Sequence, residues 1–319
     1  MRRVLLAFTF ALSCFAAPRA PAVEPEILTE DVTRFYALYD AENGRPGEAQ
    51  LDAYLAEGSE SLREFARLRR VTGARMAQRI AEDPAMYDDA RRCLALLPAV
   101  TRRVSDALER LAQLYPEAEF PPVAIVVGRG RPVGITAPTG VTIGLEALCA
   151  ADFMHPDPED RFVHVIAHEY AHIQQVAAKD PPAPGDPRAT VLRLSLVEGA
   201  AEFVSELISG GVGNGRHAEW TRGREQEIET AFLADKDSTE LDGWVFDYTP
   251  GSDAPYDLGY WVGYRVAKAY YLHAADKRAA LARIFAMDDP EAFLQQSGWT
   301  PGMTLPPLPV ASLPASGDR

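Results

Sequence analysis

Residues 160–176 read DRFVHVIAHEYAHIQQV and contain His168, Glu169 and His172 in the order H-E-x-x-H. Side chains four apart on an α-helix share a face, one turn apart, so two imidazoles at that spacing can reach one ion. Glu169, next to the first, can reach a water on it. Two neutral imidazoles and a carboxylate suit zinc, and a catalytic zinc site keeps a fourth position open. The chemistry in view is hydrolysis: zinc acidifies its water and polarises a carbonyl, while Glu169 takes the proton and passes it to the leaving group. Three fixed residues in five arise by chance in on the order of one chain in a hundred of this length, so the surroundings must decide. They are apolar, with Phe162, Val163, Ile166, Ala167, Tyr170, Ile173 and Val176 at helical spacing. Such a helix does not carry two His and a Glu unless their polar atoms are satisfied. His164 with His168 has the same spacing but no Glu after its first member. His168 with His172 is therefore the preferred pair, and His164 is left to packing or to supporting a ligand.

A third ligand is expected from residues 190–209, TVLRLSLVEGAAEFVSELIS, where Glu198 and Glu202 share a helical face. Glu198 is the first choice. Gly199 beside it would let this helix approach the H-E-x-x-H helix, and an interior Gly, costing about 1 kcal/mol relative to Ala, needs such a reason. Glu202 would then accept from a ring nitrogen of a zinc-bound His. The competing reading is a solvated acidic stripe of Glu198, Glu202 and Glu206, which the flanking Leu196, Val197, Ala200 and Ala201 disfavour. A donor for the developing oxyanion is also needed. In DAPYDLGYWVGYRVAKAYY, Tyr256, Tyr260 and Tyr264 repeat every four residues, with Gly259 and Gly263 thinning the helix for close approach to another element. Tyr260 is the first candidate donor, Tyr264 the second and Arg265 a further one. The alternative is an aromatic packing stripe.

HEYAHIQQ followed by VEGAAEF resembles the gluzincins, zinc peptidases in which two His on one helix are joined by a Glu from a later helix. More closely, the chain is similar to a bacterial family of predicted exported zinc-dependent proteases. That similarity runs through FYALYD, YLAEGSESLREFARLR, FPPVAIVVGRG, TIGLEAL, ELISG and DLGYWVGYRVAKAYY. The resemblance implies His168, His172 and Glu198 as zinc ligands, Glu169 as general base and a peptide or protein as substrate.

Around this centre the chain divides into four expected regions. Residues 1–22 have Arg2 and Arg3, a short apolar run and small residues, the pattern of a secretory signal peptide, which predicts a periplasmic or secreted protein. The residues before Cys14 fit a lipidation site poorly. No later stretch is apolar enough to span a bilayer. Residues 23–118 form a helical region, with breaks at Asn43-Gly44-Arg45-Pro46, Gly58, Gly73 and Asp83-Pro84. Arg67, Arg69, Arg70 and Arg75 are read as a solvated or ion-paired face. Residues 119–299 form the zincin-like catalytic region. It opens with two β-branched runs, 123–127 and 140–145, separated by a Gly- and Pro-bearing connection at 128–139. By the resemblance, a small sheet beside the active-site helix offers an edge strand to substrate, with residues 142–144 as candidate contacts. Residues 179–188 are a surface loop and 235–255 an irregular segment; its Trp244 and Phe246 either cover a cleft or pack. Residues 300–319 are a proline-rich tail, read as poorly ordered.

The fold class expected is α+β, helix-dominated and zincin-like. A net charge of −14 argues against a broad nucleic-acid or anionic-lipid surface. After the leader, Cys93 and Cys149 remain; an exported chain can join them, although buried free thiols are the ordinary choice. The competing function is a non-catalytic binding protein, zinc-containing or metal-free, against which Glu169 argues, since structural zinc needs no base. Hydrolysis of a non-peptide amide or ester would use the same residues.

Overall fold

The computed structural model describes residues 26–308 apart from 152–153, 184, 214 and 249–254, so the expected leader with Cys14 and residues 309–319 lie outside the described residues. The chain is helix-dominated with one small mixed sheet. After strand β1 (Ile27–Leu28) come α1 (Glu30–Ala41), α2 (Glu48–Ala56), α3 (Glu60–Arg69), α4 (Gly73–Glu82), α5 (Pro84–Cys93) and the longer α6 (Leu97–Leu114). Their ends follow local chemistry: Ser59 and Thr72 cap α3 and α4 with their hydroxyls, and Asp83 caps α5 just before Pro84. Then follow β2 (Val123–Val126), β3 (Gly134–Ala137), β4 (Gly140–Gly144) and α7 (Leu145–Ala150).

The sheet order is β1-β2-β4-β3. β2 runs parallel to β4, pairing Val123 with Val141, and β3 runs antiparallel to β4, pairing Gly134 with Ile143. This corrects the expected substrate edge. β4, with Thr142 to Gly144, is hydrogen-bonded on both sides, and Thr142 is fully buried. The edge strands are β1 and β3, and the one that lines the cleft is β3, inside the Gly- and Pro-bearing connection at 128–139. Four residues beginning with Gly carry too little alternation to announce a strand.

The H-E-x-x-H helix, α8 (Pro158–Gln174), starts at an Asp157 cap followed by Pro158, and is buried on nearly every side. It ends two residues earlier than read: Gln175 is extended and a short α9 (Val176–Lys179) follows. α10 (Val191–Ser209) is capped by Thr190 and stopped by Gly210 at φ 86°, a left-handed position suited to Gly. Two shorter helices follow, α11 (Gly215–Thr221) and α12 (Glu225–Asp235), separated at Gly223 with φ 76°. α13 (Leu258–His273), α14 (Lys277–Ala286) and α15 (Pro290–Gln296) complete the chain.

One apolar core lies among α1–α6, the sheet and one side of α8; a second joins α6 and the other side of α8 to α10 and α13–α15. α8 is thus the shared wall between them. Cys93 at the end of α5 and Cys149 in α7 form a disulfide, Cα atoms 6.2 Å apart, so the free-thiol expectation does not hold. The first part of the proline-rich tail is docked. Glu229 accepts from the Gly302 amide at 2.7 Å, Arg265 holds the Met303 carbonyl, and Leu305 and Leu308 pack on the second core. No helix among the described residues is long and apolar enough to cross a membrane.

Candidate metal centre

α8 and α10 lie side by side in opposite directions, so a histidine stripe on one meets a glutamate stripe on the other. Reading along the contact, His172 and His168 face Glu198, His168 and His164 face Glu202, and His164 faces Ser205. The acidic stripe is therefore not solvated.

The Nε2 atoms of His168 and His172 are 3.0 Å apart, and Glu198 Oε2 lies 3.5 Å from the first and 3.3 Å from the second. Each of the other two ring nitrogens has a side-chain oxygen near it. His168 Nδ1 is 3.0 Å from Glu202 Oε1. His172 Nδ1 is 2.7 Å from Gln175 Oε1, and the Gln175 amide is oriented by donating to the Val197 carbonyl at 2.7 Å. With an oxygen near each Nδ1, rings in the neutral Nδ1–H tautomer would turn their Nε2 lone pairs toward each other. Two facing lone pairs beside a carboxylate oxygen are reconciled only by a cation or a proton. This trio can hold a metal ion.

A second group, His164, His168 and Glu202, also gathers ligand atoms, with His164 Nε2 at 2.9 Å from Glu202 Oε2. Here one carboxylate lies between two rings with one oxygen near each, at ion-pair distance but without an aligned hydrogen bond to either ring nitrogen. Ser205 Oγ lies 2.9 Å from His164 Nδ1 and also donates to the His164 carbonyl at 3.0 Å. Glu202 thus sits between His164 and His168 as the charge partner of both rings.

Burial works against charge on both rings of the trio. Glu202 and Glu198 outweigh it at His168, whose pKa is raised well above 6.5, and Glu198 raises that of His172. Burial likewise opposes the carboxylates, yet the imidazoles hold Glu198 and Glu202 below the ordinary carboxylate range. The cluster is built for positive charge.

Glu169 stays out of these pairs. The Thr136 hydroxyl on β3 lies 2.8 Å from its Oε2 and 2.9 Å from its main-chain oxygen. Gly134 makes room for it, since a Cβ there would come within 2.9 Å of Glu169 Oε1. Both groups line a cleft of about 800 Å³ whose walls include His168, His172, Glu198 and Tyr260. The Tyr260 hydroxyl bonds Glu198; burial, then Glu198 and Asp257, raise its pKa well above 10, so it remains a donor.

Tyr264 and Arg265 are directed elsewhere. Tyr264 donates to Glu206 at 2.8 Å and accepts from Lys268 at 2.8 Å, while Arg265 pairs with Glu229. The close approach expected of Gly199 is also redirected. A Cβ there would strike the main chain of Gly263 and Tyr264 on α13, not α8. Gly259 and Gly263 thin α13 as read, and the element they admit is α10 at Ser195. Trp244 is buried against Phe232, whereas Phe246 is 60% exposed at the cleft with its ring edge-on to Tyr260.

The sequence reading missed Thr136, Gln175 and His217. Gln175, three residues after His172, could have been noticed; Thr136 had no local signal. His217 lines the cleft and bonds the Tyr256 carbonyl through Nε2 at 2.8 Å, with its pKa lowered by burial. Compared with protein-family models, curated proteins and solved structures, the chain matches none.

Proposed function

We propose that the protein is a zinc-dependent peptidase of gluzincin-like type. The observation that carries this reading is the convergence of three ligand atoms, His168 Nε2, His172 Nε2 and Glu198 Oε2, in one cleft with Glu169, whose carboxylate is held by Thr136 and not by these groups. Their separations of 3.0, 3.5 and 3.3 Å suit zinc, whose bonds of about 2.0–2.1 Å at tetrahedral angles put ligand atoms roughly 3.3 Å apart. Bound there, zinc supplies Lewis acidity toward water and toward a carbonyl oxygen. Glu169, aimed by Thr136, accepts the proton of the attacking water and returns it to the leaving amine. Tyr260 offers its hydroxyl to the oxyanion. The open edge of β3, lining the cleft through Gly134 to Thr136, favours an extended peptide, which can pair with it through main-chain hydrogen bonds. A zincin-like catalytic region, the periplasmic or secreted location and the peptide or protein substrate all belong to this proposal.

The test is digestion of a mixed peptide library by purified protein, read by mass spectrometry. Cleavage should stop with chelator and return with zinc. Glu169→Gln should retain its zinc and lose about 10²–10⁴ in kcat. Cleavage indifferent to chelator, or a Glu169→Gln protein working at the wild-type rate, refutes the reading.

A further inference from the structure

Five arginines lie on three segments that meet beside the cleft. Arg69 closes α3 and lines the cleft wall. Arg129 donates to the Arg69 carbonyl at 3.2 Å, and Arg75 donates to the Arg70 carbonyl at 2.8 Å. Main-chain oxygens, not carboxylates, thus tie the end of α3, the start of α4 and the loop before β3 together. Arg131 ends that loop and leads through Pro132 into Val133, Gly134 and the open edge strand. Neighbouring arginines are matched with acids: Arg67 pairs with Glu64 and Arg79 with Asp83. Among the described residues, Arg69, Arg70, Arg75, Arg129 and Arg131 have no carboxylate within ion-pair distance.

That is unusual on a chain with 46 acidic and 32 basic residues. The nearby acids are otherwise engaged. Glu64 also accepts from Thr139 at 2.7 Å, and Glu146, buried beneath the loop, accepts from the amides of Gly128 at 3.1 Å and Gly130 at 2.8 Å. Burial, then Arg131 and Arg75, push the Arg129 guanidinium below its ordinary pKa. Like charges lie together here with no carboxylate partner among the described residues and most of them open to solvent, from which an acidic group can reach them.

We propose that this arginine rim receives an acidic stretch of the substrate polypeptide, a few residues to one side of the bond cut; this rests on the peptidase reading of the metal centre. Strand geometry sets the register. A chain paired with β3 advances about 3.3 Å per residue, and Arg131, three residues before Gly134 and outside the strand, is at most about 11 Å of chain from it. An acidic side chain three or four residues from the paired segment therefore reaches the rim. A short segment senses this local field, whereas nucleic acid or an anionic lipid surface would also meet the chain's overall charge of −14.

The test uses zinc-loaded Glu169→Gln protein, so that binding is read without turnover. Labelled peptides share one core and carry three Glu, three Gln or three Lys on one flank, and then on the other; affinities come from fluorescence anisotropy. On one flank the Glu peptide should bind about tenfold tighter than the Gln peptide, and the Lys peptide more weakly than either. The advantage should shrink as salt rises from about 0.05 to 0.5 M. Arg69→Gln with Arg131→Gln should abolish it at an unchanged melting temperature, and the corresponding Lys replacements should retain most of it. Equal affinities for all three peptides, or a Glu preference that survives in the Gln variant, overturns the proposal. The two readings fail separately: wild-type protein that prefers Glu peptides but cuts none keeps the rim and loses the peptidase. Cleavage of all three with equal kcat/KM does the reverse.

Discussion

Two ends of one glutamate stripe on α10 meet opposite fates. Glu206 faces α13, where Lys268 lies 2.9 and 3.0 Å from its two oxygens and Tyr264 donates at 2.8 Å. Its charge is cancelled by a fixed ammonium within the chain, and every oxygen has a donor. Glu198 and Glu202 face α8, where the partners are imidazoles whose charge depends on a proton or a metal ion. Spacing and residue type are the same at both ends; only the covering helix differs. A buried carboxylate closed by Lys is structural, and one left to histidines and a cleft is open to chemistry.

Breaking the closed end should produce the largest change in stability. Lys268→Met leaves Glu206 buried without its cation and should destabilise the fold by about 3–5 kcal/mol in urea unfolding. Zinc affinity should remain within about threefold. A large loss of zinc binding in that variant would mean that the two ends are coupled.

Breaking the open end should move metal affinity instead. Zinc at four-ligand structural sites contributes about 10–16 kcal/mol, so one ligand's share is roughly 2.5–4 kcal/mol. Glu198→Ala should therefore weaken zinc binding by two to three orders of magnitude in competition with a chromophoric chelator. Full zinc occupancy in this variant would move the third ligand elsewhere.

The tyrosines sharpen the contrast, because they sit one turn apart on α13 yet serve opposite ends. Tyr260→Phe should lower kcat about a hundredfold with little change in KM or zinc content. Tyr264→Phe should cost about 1–3 kcal/mol of stability and leave kcat within twofold. If both variants keep wild-type kcat, the oxyanion donor is some other group.

The smallest effect concerns pH at the start of α13. Asp257 and Asp247 each accept the other's main-chain amide on a carboxylate oxygen, the Asp257 amide donating to Asp247 Oδ1 at 2.6 Å and the Asp247 amide to Asp257 Oδ1 at 3.1 Å. Burial and then the bond to Asp247 raise the Asp257 pKa from 3.8 to about 7. A raised folded-state pKa means that the folded protein holds a proton which the unfolded chain releases. This contribution is complete below pH 3.8 and is lost as pH rises through about 7. After allowance for solvent screening it amounts to about 1–2 kcal/mol. Asp257→Asn should flatten the fall in urea midpoint between pH 5 and pH 8; an unaltered slope would mean the pair does not share a proton.

Much of the site was legible in the sequence, for reasons of period. Four-residue spacing put His168 and His172 on one face, and the apolar stripe around them announced a buried helix. The same spacing singled out Glu198 and Glu202 on the next long helix. What period reports is which residues share a face, not what covers that face. Only the tertiary structure decided that Glu198 meets two imidazoles while Glu206 meets Lys268, and that Gly199 serves the contact with α13. It also parted Tyr260 from Tyr264. Short-range pattern failed at β3, where four residues cannot establish alternation, so the open edge was assigned to β4. It failed again at the arginines: whether a guanidinium has a carboxylate partner depends on contacts across the fold, such as Arg129 to Arg69, sixty residues apart. Local periodicity selects faces, and pairing across long sequence separations, decided by packing, selects partners.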